Sequence, residues 1–208
     1  MNKPSQGQVL NALAILMNNA DWDSVDSSVL QTVIDSPQES GQQFTAFLKN
    51  GGRVVVGEPK IVSIDRSAAF GPVAFIGAGW SVVEQDERSL TLTEIDPTKV
   101  QFKVTLKNSE SSVVGEEKLK RLIASGEIRL DAKILQTLWE NQYLIPESWK
   151  QLTNGNTTFI YFDGTVLQDS SGDRYVLCLY WNAGRWHWYY LWLGYEWHAN
   201  HPSAVLAS

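Results

Sequence analysis

The chain has 208 residues, 43% of them hydrophobic and 19% charged, and a net charge of −6. Those values exclude a disordered chain. Nine basic against thirteen acidic residues over 1–114, and eight against ten over 115–208, leave neither half the positive field that nucleic-acid binding needs.

Residues 5–19 read as a helix, with Ser5 as cap and Val9, Leu10, Leu13, Leu16 and Met17 at helical spacing. A second is expected over 27–35, with Val29, Leu30, Val33 and Ile34 on one face and Pro37 behind it. "QQFTAFLKN" gives a third, stopped by Gly51-Gly52. The apolar piece "ALAILM" is six residues, too short for a signal-peptide core. No run approaches the ~20 apolar residues of a membrane helix. The single cysteine, Cys178, allows no internal disulfide, so a cytoplasmic setting with no membrane or nucleic-acid partner is expected.

From residue 51 the pattern becomes β-branched and alternating. "RVVVGEPKIVSID", "PVAFIGAGWSVVEQ", "RSLTLTEI" and "KVQFKVTLK" read as strands, the last two as an antiparallel pair joined by the turn "DPT" at 96–98. "NSESSVVG" (108–115) is the linker candidate. Two helices follow, with Leu119, Leu122 and Ile123 on the first and Ile134, Leu135, Leu138 and Trp139 on the second, which Asp131 caps. The final third reads as strands at 157–162, 165–169, 174–181 and 185–193, separated by Asp163-Gly164, "SSGD" and "NAG". The expected architecture is α+β: a helical segment (1–50), a β-rich region (51–107), and a helical pair packed on a C-terminal antiparallel meander (116–208).

Motifs that suggest chemistry are thin. "FDGT" (162–165) matches the end of a phosphotransfer loop that begins Asp-x-Asp-Gly-Thr, but Tyr161 stands where the nucleophilic carboxylate belongs. A hairpin turn at Asp163-Gly164 is the stronger reading. "VAFIGAGWSV" (73–82) offers Gly77-x-Gly79 of a dinucleotide fingerprint, with Val82 at the third glycine and no helix of the required length behind it. No cofactor follows from it. "EWHANHP" spaces Glu196, His198 and His201 in no structural zinc pattern, so no metal is assigned. The helices at 116–141 carry too little net positive charge for a helix-turn-helix. Cys178 lies in a strand-like run with no base beside it, and no catalytic residue is assigned.

The aromatic tail is the most informative stretch. Five of the nine tryptophans fall in the last 28 positions. In "RWHWYYLWL", strand alternation places Trp186, Trp188, Tyr190 and Trp192 on one face. An exposed row of this kind binds a partner with large contact area at low entropic cost. The functional expectation is a non-catalytic interaction module that binds a protein partner through this sheet. The alternatives are a carbohydrate-binding module that stacks sugars on the same tryptophans, and a hydrolase built on Asp163, Glu196, His198 and His201.

"GEPKIVSIDRS", "FIGAGWSVVEQDERSLTLTEID", "GEEKLKRLIASGEIRLDAKILQTLWENQYLIPESWK", "FDGTVLQDSSGDRYVLCLYW" and "HPSAVLAS" together resemble a family of uncharacterised bacterial proteins, most familiar from reduced-genome, uncultivated lineages. The resemblance covers about residues 50–208. It implies no activity and no site residue, only that this stretch acts as one unit.

Overall fold

The computed structural model describes residues 3–49 and 61–207. The protein is α+β, and the chain divides into two compact units, Met1–Val54 and Val55–Ser208.

The first unit holds α1 (Gln6–Asn19), α2 (Ser27–Asp35) and α3 (Pro37–Lys49). Ser5 caps α1 in a capping box: its hydroxyl accepts from Gln8 N, and the Gln8 side chain accepts from Ser5 N. Pro37 opens α3 rather than following α2 as a spacer, because proline's missing N–H costs nothing in a first helical turn. None of the described side chains in this unit is buried, and Leu10, Met17 and Ile34 are each 60% exposed. The expected Gly51-Gly52 stop and the strand over 53–60 lie outside the described residues.

The second unit begins with β1 (Val62–Ser63), α4 (Pro72–Phe75), β2 (Ser81–Gln85), α5 (Glu87–Leu90), β3 (Glu94–Ile95) and β4 (Gln101–Lys103). It continues with β5 (Val113–Val114), α6 (Gly115–Ser125), β6 (Ile128–Arg129) and α7 (Ala132–Glu140). Then come β7 (Leu152–Thr153), β8 (Asn156–Thr157), β9 (Phe159–Tyr161), β10 (Thr165–Gln168), β11 (Arg174–Asn182), β12 (Arg185–Trp192), β13 (Glu196–Trp197) and β14 (Ser203–Leu206).

Eight strands form the main sheet, and β11 is its spine. One edge of β11 pairs along its length with β12. The other edge is shared: β10 pairs at its start, Leu167 opposite Tyr175, and β9 at its end, Tyr161 opposite Cys178. Beyond these lie β2 on β10, and β14 on β9 with β4 and β6 attached. Strands from the middle region therefore belong to the same sheet as the C-terminal ones.

Three expectations are corrected. The segments "RSLTLTEI" and "KVQFKVTLK" do not pair with each other: Glu87–Leu90 is helical, β3 pairs β1, and β4 pairs β14. Asp86 caps that short helix by accepting from Arg88 N, which breaks the alternation before a strand forms. The strand expected from Pro72 begins instead as α4, with Pro72 at its first position, and extended structure resumes only at Ser81.

The third correction concerns Asp163-Gly164, which is not a hairpin. The strands on either side of it follow the same edge of β11, so the chain jogs without reversing. Thr165 N reaches Phe162 O at 3.4 Å, Gly164 N donates to Leu130 O at 2.9 Å, and Gly164 O accepts from Asp86 N at 2.8 Å. The glycine is required by close approach rather than by a left-handed φ. A Cβ there would lie 2.2 Å from Arg129 O and 2.7 Å from Leu130 C and O.

The helical pair does not sit together on one face. On α7, Ile134, Leu135 and Leu138 pack against the face of β11 that carries Leu177 and Leu179. Leu119 of α6 packs with Val176 and Cys178 on the opposite face. Each of the three fully buried α7 side chains contributes about 1.5–3 kcal/mol. Buried Asp131 starts α7: it accepts from Lys133 N and Ile134 N, pairs with Arg66, and accepts from the Ser89 hydroxyl. A carboxylate at a helix N-terminus is favoured by the helix dipole.

Candidate functional site

The hairpin β11–β12 closes on Ala183-Gly184, with φ of 49° and 78°. Two successive positive values make a type I′ turn, whose twist suits a two-residue hairpin. In such a hairpin the closing pair, Asn182 and Arg185, exchanges main-chain hydrogen bonds, and every second pair after it does the same. Those pairs are Tyr180–His187, Cys178–Tyr189 and Val176–Leu191. The N–H and C=O groups of Trp186, Trp188 and Tyr190 therefore point away from β11. Among the described residues β12 pairs with no second strand; its edge is buried at Trp186 and open only from Trp188 onward.

The side chains of the expected binding row are unequal. Trp186 is 2% exposed and lies edge-on to Trp181. Trp188 is half-buried against Phe75, with ring centroids 4.7 Å apart. Tyr190 is half-buried between Trp80 and Tyr175, at 4.8 and 5.6 Å. Trp192 is 38% exposed and meets Tyr195 edge-on. These side chains share one face, and three of them pack largely inside the protein. The exposed aromatics that sequence reasoning missed are Tyr189, on the other face, and Tyr195. Alternation assigns Tyr189 to its face, but only sheet order shows that its strand lies at an edge.

The residues of the hydrolase alternative are placed separately. Asp163 is fully buried, and Lys118 Nζ donates to both of its oxygens at 3.1 Å. Lys118 also lies 4.1 Å from the Trp197 ring centroid and 5.0 Å from that of Tyr161. Burial pushes its amine down from the ordinary lysine value, and Asp163 opposes the shift. Glu196 is exposed on β13 and accepts from the Ser112 hydroxyl at 3.2 Å. Only His198 and His201 are neighbours, with ring centroids 5.9 Å apart. Burial pushes the Cys178 thiol up to about 12, which leaves it inert as a nucleophile. Among the described residues no group of three or more His, Cys, Asp or Glu could hold a metal ion.

The two histidines line an open cleft of about 460 Å³. Thr153, Asn154 and Asn156 of the β7–β8 hairpin line it too, with Ser111 and with Asn200, whose amide donates to Thr157 O of β8 at 3.0 Å. His198 Nδ1 is 3.1 Å from Ser111 O, and a carbonyl can only accept, so Nδ1 donates this bond. His201 Nδ1 accepts from His198 N at 3.2 Å, so its proton is on Nε2. Burial, then the Lys118 charge, then His198 push the His201 imidazole down to about 4.

Two of the other four basic residues of 116–141 are committed to pairs. Arg121 binds Glu110 and Glu117, and Arg129 is buried beside Glu84 and Asp86. Among the described residues, no helix is long and apolar enough to cross a membrane. No family model, curated protein or solved structure matches the chain.

Proposed function

We propose that residues 61–207 form a non-catalytic binding module that takes an extended segment of a protein partner as an additional strand along β12. One observation carries this reading: the outward N–H and C=O groups of Trp188 and Tyr190, beyond the buried Trp186, have no strand partner among the described residues. Soluble proteins blunt such edges with lysine, proline, bulges or very short strands. The eight residues of β12, "RWHWYYLW", use none of these devices. A peptide strand would gain main-chain hydrogen bonds from the edge and side-chain contacts from its aromatic flanks. Tyr189 at 52% and Tyr195 at 59% exposure supply that contact, with Trp192 beside them.

Among the described residues, three of the groups that could have carried chemistry are committed inside the fold, which supports a binding role. Asp163 and Lys118 neutralise each other away from solvent, and the Cys178 thiol is held protonated. A single buried cysteine suits a cytoplasmic setting.

The test is selection of extended peptides from a displayed library on the full chain, followed by binding to two variants. Tyr189→Lys places a charge beside the edge, and Trp188→Pro removes one outward N–H. Loss of binding in both is the expected result. Selected peptides that bind both variants as tightly as the parent would overturn the reading.

A further inference from the structure

We propose that the cleft between the β7–β8 hairpin and the His198–His201 loop is a second binding site, for a neutral sugar. It is independent of the β12 edge.

The chemistry of the lining selects the ligand class. No Asp, Glu, Lys or Arg contributes to the walls. The nearest buried cation, Lys118, is already paired with Asp163. An anionic ligand therefore finds no countercharge, and a cationic one finds no carboxylate. Every lining residue except Ala199 carries a polar side-chain group, so a hydrocarbon ligand would leave those groups without partners. What the walls offer is a mixture of neutral donors and acceptors: the amides of Asn154 and Asn156, the amide oxygen of Asn200, whose nitrogen is held by Thr157 O, a hydroxyl at Ser111, and the two imidazoles.

A sugar hydroxyl both donates and accepts, so it needs such mixed partners. The main chain holds both imidazoles: His198 Nδ1 donates to Ser111 O, and His201 Nδ1 accepts from His198 N, which leaves the Nε2–H of His201 as a donor. The low basicity of His201 keeps that ring uncharged at neutral pH. The hairpin wall is held in shape by Asn154-Gly155, at φ of 53° and 80°, so the amides are presented from a rigid turn. The volume is within the range of small-molecule sites. Its openness to solvent suits a terminal residue of a glycan rather than an enclosed metabolite.

The experiment is saturation-transfer NMR on the full chain. The probes are methyl glycosides of glucose, mannose, galactose and N-acetylglucosamine, with glucuronic acid and glucosamine as charged counterparts. Transfer to at least one neutral glycoside is expected, and none to its charged counterpart. Asn156→Ala and His198→Ala each remove one exposed polar side chain and leave the sheet intact. Each is expected to weaken binding about fivefold, the value of one neutral hydrogen bond. Absence of transfer from every neutral glycoside at millimolar concentration would overturn the proposal. So would equal transfer from the charged sugars, or unchanged affinity in both variants.

Discussion

Lys118 Nζ lies 3.1 Å from both carboxylate oxygens of Asp163, and both side chains are sealed from solvent. One residue belongs to α6 and the other to the jog between β9 and β10. The pair therefore fastens the helix to the sheet at the point where the strand along β11 is interrupted. Trp197 and Tyr161 close over the ammonium, adding cation–π attraction in a desolvated setting. Asp163 is thus a structural anchor, both of whose carboxylate oxygens accept from Lys118.

Removing one partner leaves the other buried and unpaired. Lys118→Met alone and Asp163→Leu alone are each expected to cost about 3–5 kcal/mol. The double replacement leaves no stranded charge and is expected to cost less than either single change. Urea unfolding of the three variants checks this. A double variant as unstable as the sum of the singles would contradict the pairing.

Gly164 and Gly155 matter for different reasons. Gly164→Ala drives a Cβ into the Arg129 and Leu130 main chain, so a loss of about 3 kcal/mol or failure to fold is expected. Gly155 has open space around its Cβ position and only a positive φ to satisfy, so Gly155→Ala is expected to cost about 1 kcal/mol. Thermal melts of the two variants would show the gap, and equal losses would contradict it.

His201 makes stability depend on pH. Its folded pKa of about 4 lies below the ordinary histidine value of 6.5, so between those values the unfolded chain binds the extra proton. Unfolding free energy then rises with pH across that window. The contribution is fully present above the unfolded value and is lost as pH falls towards 4. His201→Gln is expected to flatten this part of the profile. A slope unchanged in the variant would assign it to other groups.

Proline scanning separates the two edges of β12. His187 N–H points to β11 and Trp188 N–H points outward. His187→Pro is therefore expected to be about 3 kcal/mol less stable than His187→Ala. Trp188→Pro should nearly match Trp188→Ala, since outward N–H groups tolerate proline at an edge. The alanine baselines remove the cost of lost side-chain packing. A large proline penalty at Trp188 would mean that its N–H already has a partner.

Local signals were legible where a single short-range interaction decides the outcome. Ser5 caps α1, Asp131 caps α7, and the residues between Asn182 and Arg185 turn the β11–β12 hairpin. Failures came where distant chain segments decide. Asp163-Gly164 looks like a hairpin from its neighbours, yet its glycine answers to Arg129 and Leu130. Leu119 and Leu135 both read as helix core, but nothing local states that they cover opposite faces of one sheet. Alternation along β12 sends Trp186, Trp188 and Tyr190 to the core face where the structure has them, but the Tyr189 ring turns to stack on Tyr190 at 5.1 Å. Whether a face is core or surface depends on Phe75 and Trp80, far upstream. The cleft combines three loops that are adjacent only in space, so the His198–His201 spacing alone could not reveal it.

The most direct measurement is amide hydrogen exchange along β12, resolved residue by residue on the full chain. In the free protein, Trp188 and Tyr190 should exchange fast while His187 and Tyr189 stay protected, and a bound peptide should slow the first pair alone. Uniform protection of all four amides before any peptide is added would show that the edge is already covered, and would contradict the proposed function.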